Sequence, residues 1–385
     1  MKRLSKFTLV LVAVGLLFFG KTAQGQEQPE IKSEYYKARV MEVLSSQENE
    51  DPNDPFYDRT VQSVRVLIIS GPEKGVGKDV SYYPKSAAAE LRLQKGEVVY
   101  LTKVDDGDNI YYTVSERYRL NVLWWLAAFF VLLVVVVGRY KGFGSLLGLG
   151  FSFLVIAKFI VPQILAGKDP VVICLIGSVA IAVVSIYIAH GFRLRTSLAV
   201  ISTIATIAIA LGLDYLIIHW LRLFGAGSEE AVYAQFLQTG AINLRGLLLG
   251  GIIIGVLGVL DDITTAQSAV VDELRRANPA YSFRELYQRG MSVGKEHIAS
   301  LINTLVLAYV GASFPLVLLF QQLEQPFAYI INSELVAEEI ARTLIGSAAL
   351  IIAVPLTTAL TAYVMKKRPL SDLGKPAEHS HSHGH

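Results

Sequence analysis

The chain has 385 residues, of which 52% are hydrophobic and only 18% are charged, and its mean hydropathy is +0.45. A soluble domain of this size would carry more charge, and the apolar residues fall in long runs between short charged segments, which indicates several membrane spans. The net charge of +2 is too small to indicate nucleic-acid binding, and the single cysteine, Cys174, excludes an intramolecular disulfide and a multi-cysteine metal site.

Residues 1–25 have the layout of an export signal. Lys2 and Arg3 precede an apolar run that ends at Phe19, and small residues follow as far as Gly25. The run is short for a full membrane span, so we expect a signal peptide that is cleaved after Gly25. An uncleaved signal anchor is the alternative, and it would add an eighth span. In both cases the residues that follow are predicted to be exported.

Residues 26–118 are predicted to form a small extracytoplasmic β domain. Five short runs rich in valine, isoleucine, tyrosine and threonine indicate strands, and glycine, proline and aspartate supply the turns between them. Five short strands favour a β-barrel, and an OB-like fold is one form of such a barrel. The segment lacks the interleaved basic and aromatic residues of barrels that bind single strands, so we expect no nucleic-acid partner.

The membrane domain is predicted to occupy residues 119–365 and to be an all-α bundle of seven transmembrane helices. Each apolar run is near the roughly 20 residues that a helix needs to cross the hydrocarbon core. Basic residues are concentrated after the first, third, fifth and seventh spans, which puts those connections and the tail of residues 366–385 in the cytoplasm. The predicted spans cover residues 120–137, 143–161, 171–190, 197–218, 244–263, 298–320 and 341–365.

The fifth span carries the first candidate site residues. Gly251, Gly255 and Gly258 have the spacing that lets a neighbouring helix approach closely, so we predict a helix-packing role for them. Asp261 and Asp262 follow, with no basic residue in the preceding turns, and carboxylates in such a position are candidates for binding a cation or a proton. The alternative is a solvated helix end beside the basic residues of the following loop.

His297 and Asn303 are predicted to join this site. They lie near the start of the sixth span, at about the depth of the two aspartates, and either a polar cluster or ordinary hydrogen bonds between helices would explain them. Residues 264–297 are predicted to form a helical cytoplasmic loop that docks a partner, gates a cavity or lies on the lipid headgroups. Asp214 and His219, near the end of the fourth span, are predicted to lie at the membrane interface.

The tail contains alternating histidines, and such runs bind transition metals weakly. We expect no cofactor and no confident metal site, because the sequence has no Walker-type phosphate loop, no HExxH motif and no Gly-x-Ser-x-Gly motif. The same absences argue against an enzyme. The four tail histidines are His379, His381, His383 and His385.

Two stretches carry a family resemblance. Residues 255–267 read Gly-Val-Leu-Gly-Val-Leu-Asp-Asp-Ile-Thr-Thr-Ala-Gln, and residues 290–309 read Gly-Met-Ser-Val-Gly-Lys-Glu-His-Ile-Ala-Ser-Leu-Ile-Asn-Thr-Leu-Val-Leu-Ala-Tyr. With these motifs, most of the chain from the exported domain through the seventh span resembles the YibE/F-like family of bacterial membrane proteins. The resemblance implies a multi-pass protein of the bacterial plasma membrane, and it implies no particular reaction.

The favoured function is that of a transporter or permease component for a small solute or ion. Protonation or cation binding at the aspartates would then move the fifth and sixth spans against each other. The alternative is a non-transporting scaffold or accessory subunit that binds a protein through the β domain and the cytoplasmic loop, and a membrane-embedded enzyme is the third hypothesis. The expected partners are the lipid bilayer and either another protein or a second copy of the chain; the sequence does not specify the solute.

Overall fold

The computed structural model describes residues 32–48, 60–83, 92–105, 109–236, 242–322 and 325–369. The chain divides into two compact units, with the boundary between Leu133 and Val134. The predicted export signal and the four tail histidines lie outside the described residues, so their predicted roles stay predictions.

The first unit contains a closed five-stranded β-barrel. Its strands follow one another around the barrel in the order β1-β2-β3-β5-β4, and β3 meets β5 in parallel while the other neighbours are antiparallel. This confirms the small β-barrel that the sequence predicts. The strands are β1 (Lys32–Glu48), β2 (Thr60–Ile68), β3 (Gly77–Tyr82), β4 (Val98–Asp105) and β5 (Ile110–Arg117).

Strand β2 shows why the sequence forms a barrel wall. Val64, Val66 and Ile68 are fully buried in the barrel core, and the residues between them point outward, as the two-residue repeat of a strand requires. On the outer face, Arg65 lies directly opposite Asp79 of β3 and donates two hydrogen bonds of 2.7 and 2.8 Å to its carboxylate. The alternation of apolar and polar residues therefore fixes the register of this strand.

The helices make up the rest of the described chain. Within the described residues, five are long and apolar enough to cross a membrane, or six if the bent pair of Phe283–Ala312 and Phe314–Gln322 is one span. The class of helical membrane protein therefore agrees with the prediction, while the predicted count of seven is not confirmed. The elements are α1 (Leu120–Val155), a π-helical turn (Ile156–Ile160), α2 (Val161–Leu165), α3 (Pro170–His190), α4 (Leu194–Leu221), α5 (Glu229–Phe236), α6 (Leu244–Ala277), α7 (Phe283–Ala312), α8 (Phe314–Gln322), α9 (Phe327–Asn332) and α10 (Glu334–Lys367).

Helix α1 is interrupted at Arg139. This residue has φ 48° and ψ −132°, a backbone conformation that breaks the helical repeat. The chain turns back on itself here, because an ideal Cβ on Gly142 would lie only 2.2 Å from the carbonyl oxygen of Val134. Eight residues of straight helix would instead separate these positions by about 12 Å. The apolar stretch is therefore two helical segments joined by a tight reversal, in the interval that the sequence predicts between its first two spans.

Helix α6 is the centre of the helical unit and packs against α3, α4, α7 and α10. It approaches α3 closely at Gly250, where an ideal Cβ would lie 2.6 Å from the sulfur of Cys174. Gly251, Gly255 and Gly258 lie on the exposed side of the helix instead. Their helix-packing role stays a prediction, and the glycines at the α3 contact are Gly250 and its neighbour one turn earlier, Gly246.

The segment predicted as a helical cytoplasmic loop over residues 264–297 is mostly regular helix, and its cytoplasmic side stays a prediction. Residues 264–277 continue α6 without a break, and residues 283–297 begin α7. Ser282 and Glu285 form the capping box that starts α7, since each side chain accepts a hydrogen bond from the backbone of the other residue. Helices α6 and α10 each have 34 residues, about 51 Å, so each exceeds the roughly 30 Å hydrocarbon core of a bilayer.

A sharp bend separates α7 from α8. The two helix axes differ by 61°, and Pro315 is the second residue of α8. Proline is compatible with the first turn of a helix and not with its interior, so this residue fits the start of a new helix. Beside the bend, α7, α8, α9 and α10 enclose an open crevice of about 660 Å³.

Candidate functional site

The second half of α6 turns four polar side chains toward its neighbours. Thr264, Gln267, Ser268 and Asp272 are all buried, and because Gln267 and Ser268 follow Thr264 by three and four residues and Asp272 follows Ser268 by four, they lie on one side of the helix. Polar groups away from water need hydrogen-bond partners, so this face of α6 depends on what the adjacent helices offer. We refer to these four residues and their partners as the polar hub.

Gln267 joins three helices. Its side-chain amide nitrogen donates to the carbonyl oxygen of Gly290 on α7 at 2.8 Å and to the hydroxyl of Thr358 on α10 at 2.7 Å. Two glycines of α7 allow this close contact. An ideal Cβ on Gly290 would lie 2.8 Å from a methyl carbon of Thr358, and an ideal Cβ on Gly294 would lie 2.4 Å from a methyl carbon of Val354. Helix α7 therefore docks here through glycines because no larger side chain fits.

Helix α4 joins the hub through two further hydrogen bonds. The hydroxyls of Thr203 and Thr264 are 2.7 Å apart, and either oxygen serves as the donor. The hydroxyl of Ser268 donates to the carbonyl oxygen of Arg195 at 2.7 Å. In an apolar bundle such bonds hold helices at a fixed distance and rotation, so the hub orients α4, α7 and α10 around α6.

The hub ends in an ion-pair cluster around Asp272. The carboxylate of Asp272 is almost inaccessible and lies 3.1 Å from the guanidinium of Arg276 and 3.5 Å from that of Arg195. Arg195 also lies 3.6 Å from Glu273. A buried charge is tolerated when opposite charges surround it, and here two guanidinium groups do so. This cluster is a built structural feature with its charges satisfied.

The two neighbouring aspartates of α6 lie in different surroundings. Asp261 is partly buried, and within the described residues its Oδ1 atom is enclosed without a hydrogen-bond partner. Asp262 is exposed, and its charge acts on His190 at the end of α3. Successive residues of an α-helix point about 100° apart, which is why one carboxylate faces inward while the other faces outward.

His297 lies at the level of Asp261, whereas Asn303 is exposed. Helices α6 and α7 run antiparallel, and Gln267 of α6 contacts Gly290 of α7. Asp261 precedes Gln267 by six residues and His297 follows Gly290 by seven, so the two residues lie at a similar depth in the bundle. The Nδ1 atom of His297 is enclosed and lacks a partner in the described part of the chain. Neither a hydrogen bond nor an ion pair joins His297 to Asp261 among those residues. Two of the four predicted site residues thus lie at a similar depth in the bundle, without a contact in the described ranges that would make them one site, so the predicted polar cluster stays a prediction.

Tyr309 is a contact that the sequence did not single out. Its hydroxyl lies 3.6 Å from an ideal Cβ on Gly255 of α6 and 3.9 Å from one on Gly346 of α10. It also lines the 660 Å³ crevice, whose walls are mostly apolar and include neither Asp261 nor His297. The crevice and the predicted polar site are therefore separate features of the bundle, and Tyr309 marks the α7 wall of the crevice.

Asp214 of α4 is a second buried carboxylate, and its burial was not predicted from the sequence. It is only 1% exposed, while His219 is exposed, and the predicted position of both residues at the membrane interface stays a prediction. The sequence contained a sign of this burial, because the apolar residues Ala210 and Ile218, one turn before and one turn after Asp214, are buried on the same side of α4. An aspartate at that spacing belongs to the packed face of the helix.

No metal centre is evident in the described ranges, where no group of three or more histidine, cysteine, aspartate or glutamate side chains comes together. The enclosed Oδ1 atom of Asp261 is the polar atom available at this position. A carboxylate oxygen suits a proton, or a cation that keeps part of its water shell.

Apolar helices of spanning length around a buried polar hub define a multi-pass helical membrane protein. A family model described as YibE/F-like protein matches residues 126–367, more than half of the chain, and the chain belongs to the YibE/F-like family. No curated protein and no solved structure matches it.

Proposed function

We propose that this protein is a transporter or permease component for a small ion or solute in the bacterial plasma membrane. The observation that carries the proposal is the Oδ1 atom of Asp261, enclosed in the bundle and without a partner in the described residues. A carboxylate in that position is unfavourable unless a proton or a cation joins it, and ionisable groups inside membrane helices usually serve ion or substrate pathways.

The proposal includes the seven-span topology. Six spans follow if the bent pair of α7 and α8 crosses once, and the reversal at Arg139 divides the first apolar stretch into two passes. The β-barrel, of the OB-like type, would then be exported behind a signal peptide, and the C-terminal tail would be cytoplasmic. The basic residues after the odd-numbered spans support this orientation.

In this mechanism the polar hub is the fixed part and the bent pair is the moving part. Gln267 holds the first turns of α7 to α6 and α10, whereas α7 beyond Ile298 is mostly exposed. Protonation or cation binding at Asp261 removes an uncompensated charge from the α6–α7 contact. The outer part of α7 and α8 then shifts, and the crevice that Tyr309 lines changes shape.

Proton flux into liposomes tests the proposal. Purified full-length chain is reconstituted with a trapped pH-sensitive dye, and a potassium diffusion potential drives protons inward, with sodium or potassium gradients as separate arms. We expect flux above that of protein-free liposomes, its loss in Asp261→Asn, and its retention in Asp262→Asn. The two variants remove the same charge from adjacent positions, so their difference isolates the enclosed carboxylate.

Equal flux in Asp261→Asn and the unmodified chain would remove Asp261 from the mechanism. Flux no greater than in protein-free liposomes in every arm would contradict transport of these ions and favour the second candidate, a scaffold or accessory subunit. The length of α6 and α10 supports that candidate, because about 20 Å of each helix extends beyond a hydrocarbon core of ordinary thickness. That extension offers a surface for a protein partner.

A further inference from the structure

We propose that Asp214 is a proton-binding site of the helical unit, separate from the Asp261 site, and that its carboxyl carries a proton in the conformation described here. Its ionised form pairs with Arg342 only after α4 and α10 move against each other. The inference rests on the surroundings of Asp214 and not on transport, so it stands or fails independently of the proposed function.

The first argument is the enclosure of the side chain. Asp214 is 1% exposed, and neither carboxylate oxygen has a hydrogen-bond partner in the described ranges. It lies on α4, which packs against α3, α6 and α10. A carboxylate stripped of water and partners is strongly disfavoured relative to the neutral acid. The neutral acid is therefore the form that this conformation accommodates.

The second argument is the set of charges around it. Helices α3, α6 and α10 pack against α4, and of their groups the guanidinium of Arg342 is the one whose charge acts on Asp214. Two of the other charged groups are committed elsewhere: Glu338 accepts from the amide of Gly227 at 3.1 Å, and Arg245 donates to the carbonyl of Ile218 at 3.2 Å. The titratable and charged groups at this end of the four helices are Asp169, Cys174, Tyr215, His219, Arg222, Arg245, Glu334, Glu338, Glu339 and Arg342.

The third argument is the state of Arg342. Its Nε atom is enclosed without a partner in the part of the chain that the structure describes, and its terminal nitrogen lies 3.6 Å from Glu339, one turn away on the same helix. Arg342 and Asp214 form no ion pair among those residues, although the charge of Arg342 favours the ionised form of Asp214. Because both side chains have unused hydrogen-bonding atoms and lie on helices that pack together, a shift of α10 would allow the ionised carboxylate to pair with the guanidinium.

The chemical step is a simple deprotonation. The O–H bond of the Asp214 carboxyl breaks, the electron pair stays on the carboxylate oxygen, and a water molecule that enters between the helices takes the proton. The carboxylate then accepts hydrogen bonds from Arg342, which has left Glu339. Proton release and the movement of α10 against α4 are therefore one event.

Infrared difference spectroscopy of the purified full-length chain tests whether the Asp214 carboxyl is protonated. At pH 7 we expect a carbonyl-stretch component of a protonated carboxyl that disappears in Asp214→Asn and persists in Asp262→Asn, whose side chain is exposed. In Asp214→Glu the component should persist at a displaced frequency, which keeps the test valid if the amide variant folds poorly. A spectrum in which Asp214→Asn removes no protonated-carboxyl component overturns the proposal.

The pH dependence of the Asp214 component tests whether the ionised carboxylate pairs with Arg342. Loss of the guanidinium in Arg342→Gln should raise the pH at which the Asp214 component disappears by roughly 1–3 pH units, the usual effect of an adjacent opposite charge. Arg342→Lys keeps the charge and should leave that pH nearer to its original value. An unchanged transition in Arg342→Gln contradicts the pairing of the ionised carboxylate with Arg342.

Discussion

Gly294→Ala is the substitution that tests the α7 contact most sharply. An added Cβ would lie 2.4 Å from a methyl carbon of Val354, and 3.1 and 3.2 Å from the amide atoms of Gln267. Val354 is fully buried, so it cannot move aside without disturbing the core. Gln267 is the residue that bonds Gly290 and Thr358, so a displaced amide group also weakens the polar hub.

The expected change in the free energy of unfolding of Gly294→Ala is the sum of opposing effects. Alanine is favoured over glycine in a helix by about 1 kcal/mol, whereas overpacking a core contact costs about 1–3 kcal/mol. Each hydrogen bond that Gln267 loses costs about 1 kcal/mol. The expected net destabilisation of Gly294→Ala is therefore roughly 1–4 kcal/mol. Gly251→Ala is the matched control, because it is the same change on the exposed side of α6, where an ideal Cβ meets nothing within 4 Å.

The assay is thermal unfolding of the purified full-length chain in a mild detergent, followed by tryptophan fluorescence. Gly294→Ala should lower the Tm, and Gly251→Ala should leave it unchanged or raise it, since only the helix-propensity gain remains there. If the Tm of Gly294→Ala equals or exceeds that of Gly251→Ala, α7 does not dock on Val354 and Gln267 as described, and the reasoning about the polar hub is refuted.

Two further predictions concern the barrel, and urea unfolding of this compact unit on its own, followed by circular dichroism, measures both. Leu101→Ala should destabilise it by about 2–5 kcal/mol because Leu101 is fully buried, while Ile110→Ala, at an exposed position, should stay within about 0.5 kcal/mol; equal losses would contradict the assigned core. Hydrogen bonds from Lys103 and then Tyr112 hold the pKa of Glu73 below its ordinary 4.5, so its stabilisation is complete above that pH and is lost as the pH falls through the lowered pKa. Glu73→Gln should cost about 1 kcal/mol at pH 7 and flatten the acid-induced loss; an acid profile identical to that of the unmodified unit would exclude this contribution.

The barrel and the positions of the membrane helices were predictable because their signals are local. The alternation of apolar and polar residues, as in Val64, Arg65 and Val66, predicts a half-buried strand from the sequence alone. Long apolar runs likewise predict helices that can span a membrane. Hydropathy also places the end of the fifth span near Ile263, but the backbone helix continues to Ala277, since helix formation depends on hydrogen bonds and propensity and not on apolar character.

The candidate site was only partly predictable because burial depends on neighbours that the sequence does not place. Asp261 and Asp262 look like a pair in the sequence, and the helical rotation between them separates their environments. The burial of Asp214 depends on the helices that pack against α4, and the sequence does not place them. In the sequence, Gln267 is one polar residue among several. Its role in joining helices depends on the fold, which brings the carbonyl oxygen of Gly290 within 2.8 Å of its side-chain amide nitrogen.

The most direct test of the account is the environment of Asp261 in an experimental structure of the chain in lipid nanodiscs, at a resolution that shows ordered water. The account predicts density for a water molecule or cation within about 3.2 Å of Oδ1, reached by a polar path from one membrane surface. A carboxylate sealed among apolar side chains with no such density, or one turned out into the headgroups, would contradict the proposal that this atom binds the transported ion.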